Sequence, residues 1–191
     1  MQSLKLVVIG PMKSGKSAIS NFLADATELF EYHPTQGVRI LEFEVHNIET
    51  KDKRISRDIE LWDCSGDYKF ENCWPVMRNG LHGVILVYSV DSKECLKQLH
   101  ELYNYFVEQT KIGPDRCVIL RFDPEKTNPE ISKEISSAFA KVSHVKCNTD
   151  EGGSKLKTDF LSFVGNLIQK MQRYTDVTKK SSLNNTVLLN K

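Results

Sequence analysis

Leu4–Ile9 is a short run, apolar apart from Lys5, that stops at Gly10, the composition of a short strand buried on both faces. Residues 17–26 follow with Ile19, Phe22 and Leu23 at helical spacing. Residues 38–45 and 57–62 both alternate apolar with charged positions, the mark of half-buried strands. The polar stretch 47–56 between them predicts a hairpin. Residues 83–90 read Gly-Val-Ile-Leu-Val-Tyr-Ser-Val and give the strongest strand signal in the chain. A helix is expected over 92–109, capped by Asp91 or Ser92, and a buried strand over 117–120. Residues 132–141 predict a helix after Pro129, and 142–147 a weaker strand. The last helix carries Leu156, Phe160, Phe163, Val164, Leu167, Ile168 and Met171 on one stripe.

Strands alternating with helices after one hairpin predict an α/β domain: a mostly parallel sheet of six strands with helices on both faces. The domain is expected over 1–174. Residues 175–191 are polar apart from Val187, Leu188 and Leu189, and read as a flexible tail.

Charge narrows the function. The 191 residues hold 26 Lys plus Arg against 25 Asp plus Glu, a net charge of +1. That balance offers no basic surface for a nucleic-acid backbone, so nucleic-acid partners are not expected. No apolar run reaches the roughly 18 residues of a membrane span. Five cysteines, none in a Cys-x-x-Cys pair, argue for reduced thiols in a cytoplasmic protein and against zinc or a disulfide framework.

The chemistry lies in Gly10-Pro11-Met12-Lys13-Ser14-Gly15-Lys16-Ser17, a complete Gly-x-x-x-x-Gly-Lys-Ser phosphate loop between a predicted strand and a predicted helix. Such a loop wraps an anion in backbone N–H groups from Gly10, Lys13, Ser14 and their neighbours. Gly15 allows close approach, Lys16 reaches the β- and γ-phosphates, and the Ser17 hydroxyl suits Mg²⁺. Such sites need a second carboxylate at the end of another strand. Residues 59–63 end in Asp63, which starts Asp63-Cys64-Ser65-Gly66. The Gly66 N–H can meet a γ-phosphate. Thr35, between the two motifs, either completes the Mg²⁺ shell or is a turn residue after Pro34.

This order of motifs resembles the Ras superfamily of small GTPases, nearest the Rab branch. Two longer strings are more specific. Tyr32-x-Pro34-Thr35-Gln36-Gly37-Val38-Arg39-Ile40-Leu41-Glu42-Phe43-Glu44 and Glu60-Leu61-Trp62-Asp63-Cys64-x-Gly66-Asp67-x-Lys69-Phe70-Glu71-x-Cys73-Trp74-Pro75 resemble Rab-like subunits of the intraflagellar transport complex. The resemblance implies a P-loop NTPase of the small-GTPase fold, GTP or GDP with Mg²⁺, and a ciliary or flagellar location including its base. It also implies coiled-coil subunits of the transport particle as partners. The alternative is a Rab-like switch in vesicle traffic.

The chain departs from the pattern in three places. Asp67 stands where most members carry the glutamine that orients the attacking water, and a carboxylate there is repelled by a γ-phosphate. Met12 stands where fast hydrolysers have glycine. Both imply very slow GTP hydrolysis and a triphosphate-dependent binding module. The guanine-reading Asn-Lys-x-Asp is missing. Asp123 or Glu125 is the candidate acceptor for the guanine N–H donors, with Lys126 stacking on the base; otherwise this is a solvated acidic turn. A backbone N–H near Cys147-Asn148 is expected to meet the guanine oxygen.

Rab proteins end in prenylated cysteines, and no cysteine follows Cys147, so no direct lipid anchor is expected and a protein scaffold must locate the chain. Val38, Ile40, Tyr68, Phe70 and Trp74 are the candidate partner-facing residues. For Phe70 and Trp74 the alternative is packing of the switch helix on the sheet.

Overall fold

Strand β1 (Leu4–Ile9) lies at the centre of the molecule, every residue of it buried. The structure, a computed structural model, describes residues 3–26, 33–51, 53–89, 92–110, 112–122, 129–147 and 153–188; for 129, 132 and 175–188 only the backbone is described. After β1 come α1 (Lys16–Leu23), β2 (Val38–Glu49), β3 (Arg54–Cys64), a 3-10 turn (Tyr68–Cys73) and α2 (Trp74–Arg78). Then follow β4 (Gly83–Tyr88), α3 (Lys93–Tyr103), β5 (Cys117–Phe122), α4 (Pro129–Ala138), β6 (Ser143–Cys147) and α5 (Gly153–Leu188). Among the described residues six strands form one sheet in the order β2-β3-β1-β4-β5-β6. Only the β2–β3 pair is antiparallel. This is the expected sheet.

Alternation along the central strands splits the core in two. Val7 and Ile9 of β1, with Val84 and Leu86 of β4, face Leu99, Phe106, Ile135 and Phe139 from the α3 and α4 side. Leu6, Val8, Ile85 and Val87 face Ile19 and Leu23 of α1 and Phe160, Val164 and Leu167 of α5. A strand with both faces covered is apolar almost throughout, which is why Leu4–Ile9 showed no alternation; its one charge, Lys5, is tied to the backbone carbonyls of Val76 and Asn79. The C-terminal ends of β1 and β3 then open at one edge of the sheet, where a doubly covered parallel sheet leaves a crevice.

The β2–β3 hairpin is longer than its alternation suggested and slips register between Val45 and Ile48, where Asn47 takes φ 58°. Ser92 caps α3, accepting from the Cys95 N–H at 3.0 Å. The predicted helix 92–109 is not uniform: its last part is a π turn, with the Gln109 N–H donating to Asn104 O at 2.9 Å. Helix α4 starts at Pro129 itself, a residue suited to a first helical position. The tail assignment meets a difference. The backbone of α5 stays helical through residues 175–188, because no glycine or proline follows Gly165 to stop it. Among the described residues no helix is long and apolar enough to cross a membrane.

Candidate nucleotide-binding site

The loop between β1 and α1 is fixed from both sides. Gly15 sits at φ 88° as the residue before α1, and a Cβ there would lie 2.3 Å from the Phe122 ring at the end of β5. No side chain caps the first turn of α1, so its N–H groups stay open towards the loop. Gly66, after β3, comes so close that a Cβ would stand 2.7 Å from Gly10 O, Pro11 C and Met12 N. Here glycine is required by approach rather than by dihedral angle.

Lys16 is 6% exposed. Its Nζ donates to Pro11 O at 2.6 Å and to Ser14 Oγ at 3.4 Å. Burial pushes its ammonium down to about 8, opposed by the neighbouring Asp63 carboxylate. A buried cation satisfied by neutral oxygens, beside an uncapped helix N-terminus, suits an anion.

Three oxygens meet beside it. Ser17 Oγ and Thr35 Oγ1 are 3.0 Å apart, and Thr35 Oγ1 donates to Asp63 Oδ2 at 3.4 Å. The Asp63 side chain is fully buried, yet its Oδ1 has no hydrogen-bond partner. A buried carboxylate oxygen without a donor is costly unless a cation reaches it. Two hydroxyls and a carboxylate are the hard-oxygen donors Mg²⁺ takes. Among the described residues no cluster of three or more His, Cys, Asp or Glu side chains offers another metal site.

One pocket is lined by Met12 to Ser17, Pro34 to Gln36 and Cys64 to Asp67, with Lys69 and Phe70. It therefore gathers Lys13, Ser14, Gly15, Lys16, Ser17, Thr35 and Gly66 from three separate segments; Gly10 stands behind it at the end of β1. Asp67 lines the same pocket, but its carboxylate is engaged elsewhere. It caps the 3-10 turn, accepting from the Lys69 N–H at 3.0 Å, and pairs with Lys69 Nζ at 3.1 Å. Those hydrogen bonds hold its pKa below the ordinary carboxylate value.

Of the other expected site residues, Asp123, Glu125, Lys126 and Asn148 lie outside the described residues. Cys147 ends β6 with a buried side chain whose thiol donates to Arg121 O at 3.2 Å; it does not line the pocket. Burial pushes that thiol up to about 11. Trp74 does not stand out as a partner anchor. Its ring packs 5.6 Å from Tyr68, 5.1 Å from Tyr105 and 5.7 Å from Phe106, half-buried, as in the packing alternative. Tyr68 is tied to Glu101 at 2.8 Å. Ile40 remains exposed on β2, at 45%.

The sequence reading missed four contributors. Arg39 NH2 reaches Asp63 Oδ2 at 3.0 Å and Asn21 Oδ1 at 2.7 Å. Phe122 buttresses Gly15, and Lys69 enters the pocket. Lys5 holds α2 down, its Nζ donating to Val76 O at 2.9 Å and Asn79 O at 2.7 Å while lying 3.5 Å from the centre of the Trp62 ring. Neither strand alone signals the role of Arg39: the pair follows from the register of the hairpin, which sets Arg39 opposite Asp63.

Comparison with known proteins agrees with this geometry. The sequence profile of the Ras family matches residues 5–172. Proteins named intraflagellar transport protein 22 homolog from Rattus norvegicus and Homo sapiens are each 33% identical over 177 residues, spanning 92% of this chain and 96% of theirs. Intraflagellar transport associated protein 2 of Caenorhabditis elegans is 32% identical, spanning 88% and 81%. A chain of the T. brucei IFT22/74/81 GTP-bound crystal structure superposes with TM-score 0.70 at 24% identity, over 91% of this chain and 99% of that one, a likeness of fold.

Proposed function

The chain belongs to the Ras family and, within it, to the intraflagellar transport protein 22 homologues, and from that premise we propose that it is a GTP-binding subunit of an intraflagellar transport particle. Nucleotide state sets its hold on the particle, and its own hydrolysis is very slow. One observation carries the reading: Ser17 Oγ, Thr35 Oγ1 and Asp63 converge within 3.0–3.4 Å beside buried Lys16, at the open N-terminus of α1. The phosphates lie along the Gly10 to Ser17 loop, with Lys16 as their cation and the Gly66 N–H meeting the γ-phosphate. Asp123 or Glu125 reads the guanine edge, and a backbone N–H near Cys147 its oxygen. Ser17, Thr35 and Asp63 would hold Mg²⁺, which would supply positive charge beside the phosphates.

Slow hydrolysis is supported by two neighbours of that site. Asp67 spends its carboxylate on the Lys69 N–H and Nζ, and so is not free to orient water. Met12, 55% exposed, stands on the rim of the same pocket. Thr35 belongs to one wall and Gly66 to the other, so loss of a γ-phosphate releases both at once. The surface they carry runs through Val38 and exposed Ile40 to Phe70, and suits a helical partner such as a coiled coil. The GTP-bound T. brucei complex of IFT22, 74 and 81 makes the corresponding two subunits of this chain's own particle the partners to test. The location follows the particle: cytoplasm, ciliary base and cilium or flagellum.

The test is a pulldown of those two subunits with purified chain loaded with GTP or GDP. Thr35→Ala and Ser17→Asn are expected to lose the GTP-dependent part of binding. Equal recovery with all three proteins in both nucleotides would overturn nucleotide control.

A further inference from the structure

Arg39 stands across the hairpin from Asp63, its direct register partner in the antiparallel β2–β3 ladder. Its NH2 group lies 3.0 Å from Asp63 Oδ2 and is steadied by Asn21 Oδ1 of α1 at 2.7 Å. Asp63 thus meets a permanent cation on one oxygen, while its other oxygen is buried and unpartnered. Guanidinium does not lose its charge, so the compensation holds at every working pH. Resting on the reading of Ser17, Thr35 and Asp63 as the Mg²⁺ ligands, we propose that Arg39 is a positioning residue that competes with Mg²⁺ for Asp63. It makes nucleotide retention unusually tolerant of low Mg²⁺.

The reasoning is electrostatic. A divalent ion gains most beside an unshared carboxylate. Here the carboxylate already forms a charge-assisted hydrogen bond, which a metal must share or displace. Lys16 in the phosphate loop and Arg39 on Asp63 are two protein cations that balance part of a phosphate's charge before any metal arrives. The side chain of Arg39 is 40% exposed, so solvent screens it and the effect is moderate. The pair is set by strand register and not by a flexible loop, so it persists in every state that keeps the hairpin.

The experiment measures release of fluorescent N-methylanthraniloyl GDP from full-length protein over a buffered series of Mg²⁺ concentrations. Arg39→Ser is expected to retain nucleotide only with Mg²⁺ present, and to respond to about fivefold to tenfold lower Mg²⁺ than the parent. Arg39→Lys keeps the charge and is expected near the parent. Arg39→Gln keeps an N–H donor on a shorter, uncharged side chain, and serves should Arg39→Ser fold poorly. An unchanged Mg²⁺ response in Arg39→Ser and Arg39→Gln, or a weaker one, would overturn the proposal. A parent protein that holds no labelled GDP at any Mg²⁺ concentration would overturn the nucleotide reading itself, and this inference with it.

Discussion

Replacing Gly66 with alanine adds one methyl group at the point where the loop after β3 meets the phosphate loop. The new carbon would stand 2.7 Å from Gly10 O, Pro11 C and Met12 N, three backbone atoms that cannot rotate away. Ordinary contact begins near 3.4 Å, so the two loops must part by roughly 0.7 Å. Forced overpacking of this kind costs about 1–3 kcal/mol, or about 2–12 °C of melting temperature for a chain of this size. The functional effect is selective. Only a γ-phosphate calls on the Gly66 N–H, and a charge-assisted hydrogen bond is worth about 1.5–3 kcal/mol. GTP affinity is therefore expected to fall about tenfold to a hundredfold while GDP affinity stays within about threefold. The assay is paired fluorescence titration with both nucleotides, with thermal melts at fixed nucleotide concentration. An unchanged melting temperature together with an unchanged GTP-to-GDP ratio would refute the reasoning.

Three further outcomes are expected. Asp67→Gln restores an amide at the water-orienting position, and combined with Met12→Gly should raise single-turnover GTP cleavage at least about tenfold, more than either change alone; parent cleavage already at a rate typical of Ras proteins would contradict this. Native-state alkylation followed by mass spectrometry should label Cys73, the half-buried thiol, well before Cys64, Cys95, Cys117 and Cys147, which are buried. Burial also pushes the Cys64 and Cys117 thiols far above their ordinary range, so little thiolate is present to react. Phe106→Ala empties a fully buried position between Trp74 and the sheet and should cost about 3–5 kcal/mol in denaturant melts.

The sheet was readable because its signals are local. Residues 83–88, and Leu4–Ile9 apart from Lys5, are apolar on both faces, and a phosphate loop with a strand before it and a helix after it fixes what lies between. The hairpin was readable from alternation, its exact register was not. The Arg39–Asp63 pair depends on that register and on nothing visible in either strand alone. Asp67 shows a different limit. The family resemblance marked it as a missing glutamine, while its actual bonds, to the Lys69 N–H and Nζ, follow from the turn it caps. Trp74 was ambiguous for a similar reason: an aromatic residue beside a switch reads alike whether it faces a partner or Tyr105 and Phe106. The far end of α5 escaped because polar composition argues against burial but not against a helix.

The central claim is that this chain is a guanine-nucleotide binder whose phosphates sit in the Gly10 to Ser17 loop. Displacement of N-methylanthraniloyl GDP by unlabelled nucleotides tests it most directly. GTP and GDP are expected to displace the label, ATP to do so far less well, and Lys16→Ala to abolish labelled binding. Displacement by ATP as effective as by GTP, or full labelled binding by Lys16→Ala, would contradict the account.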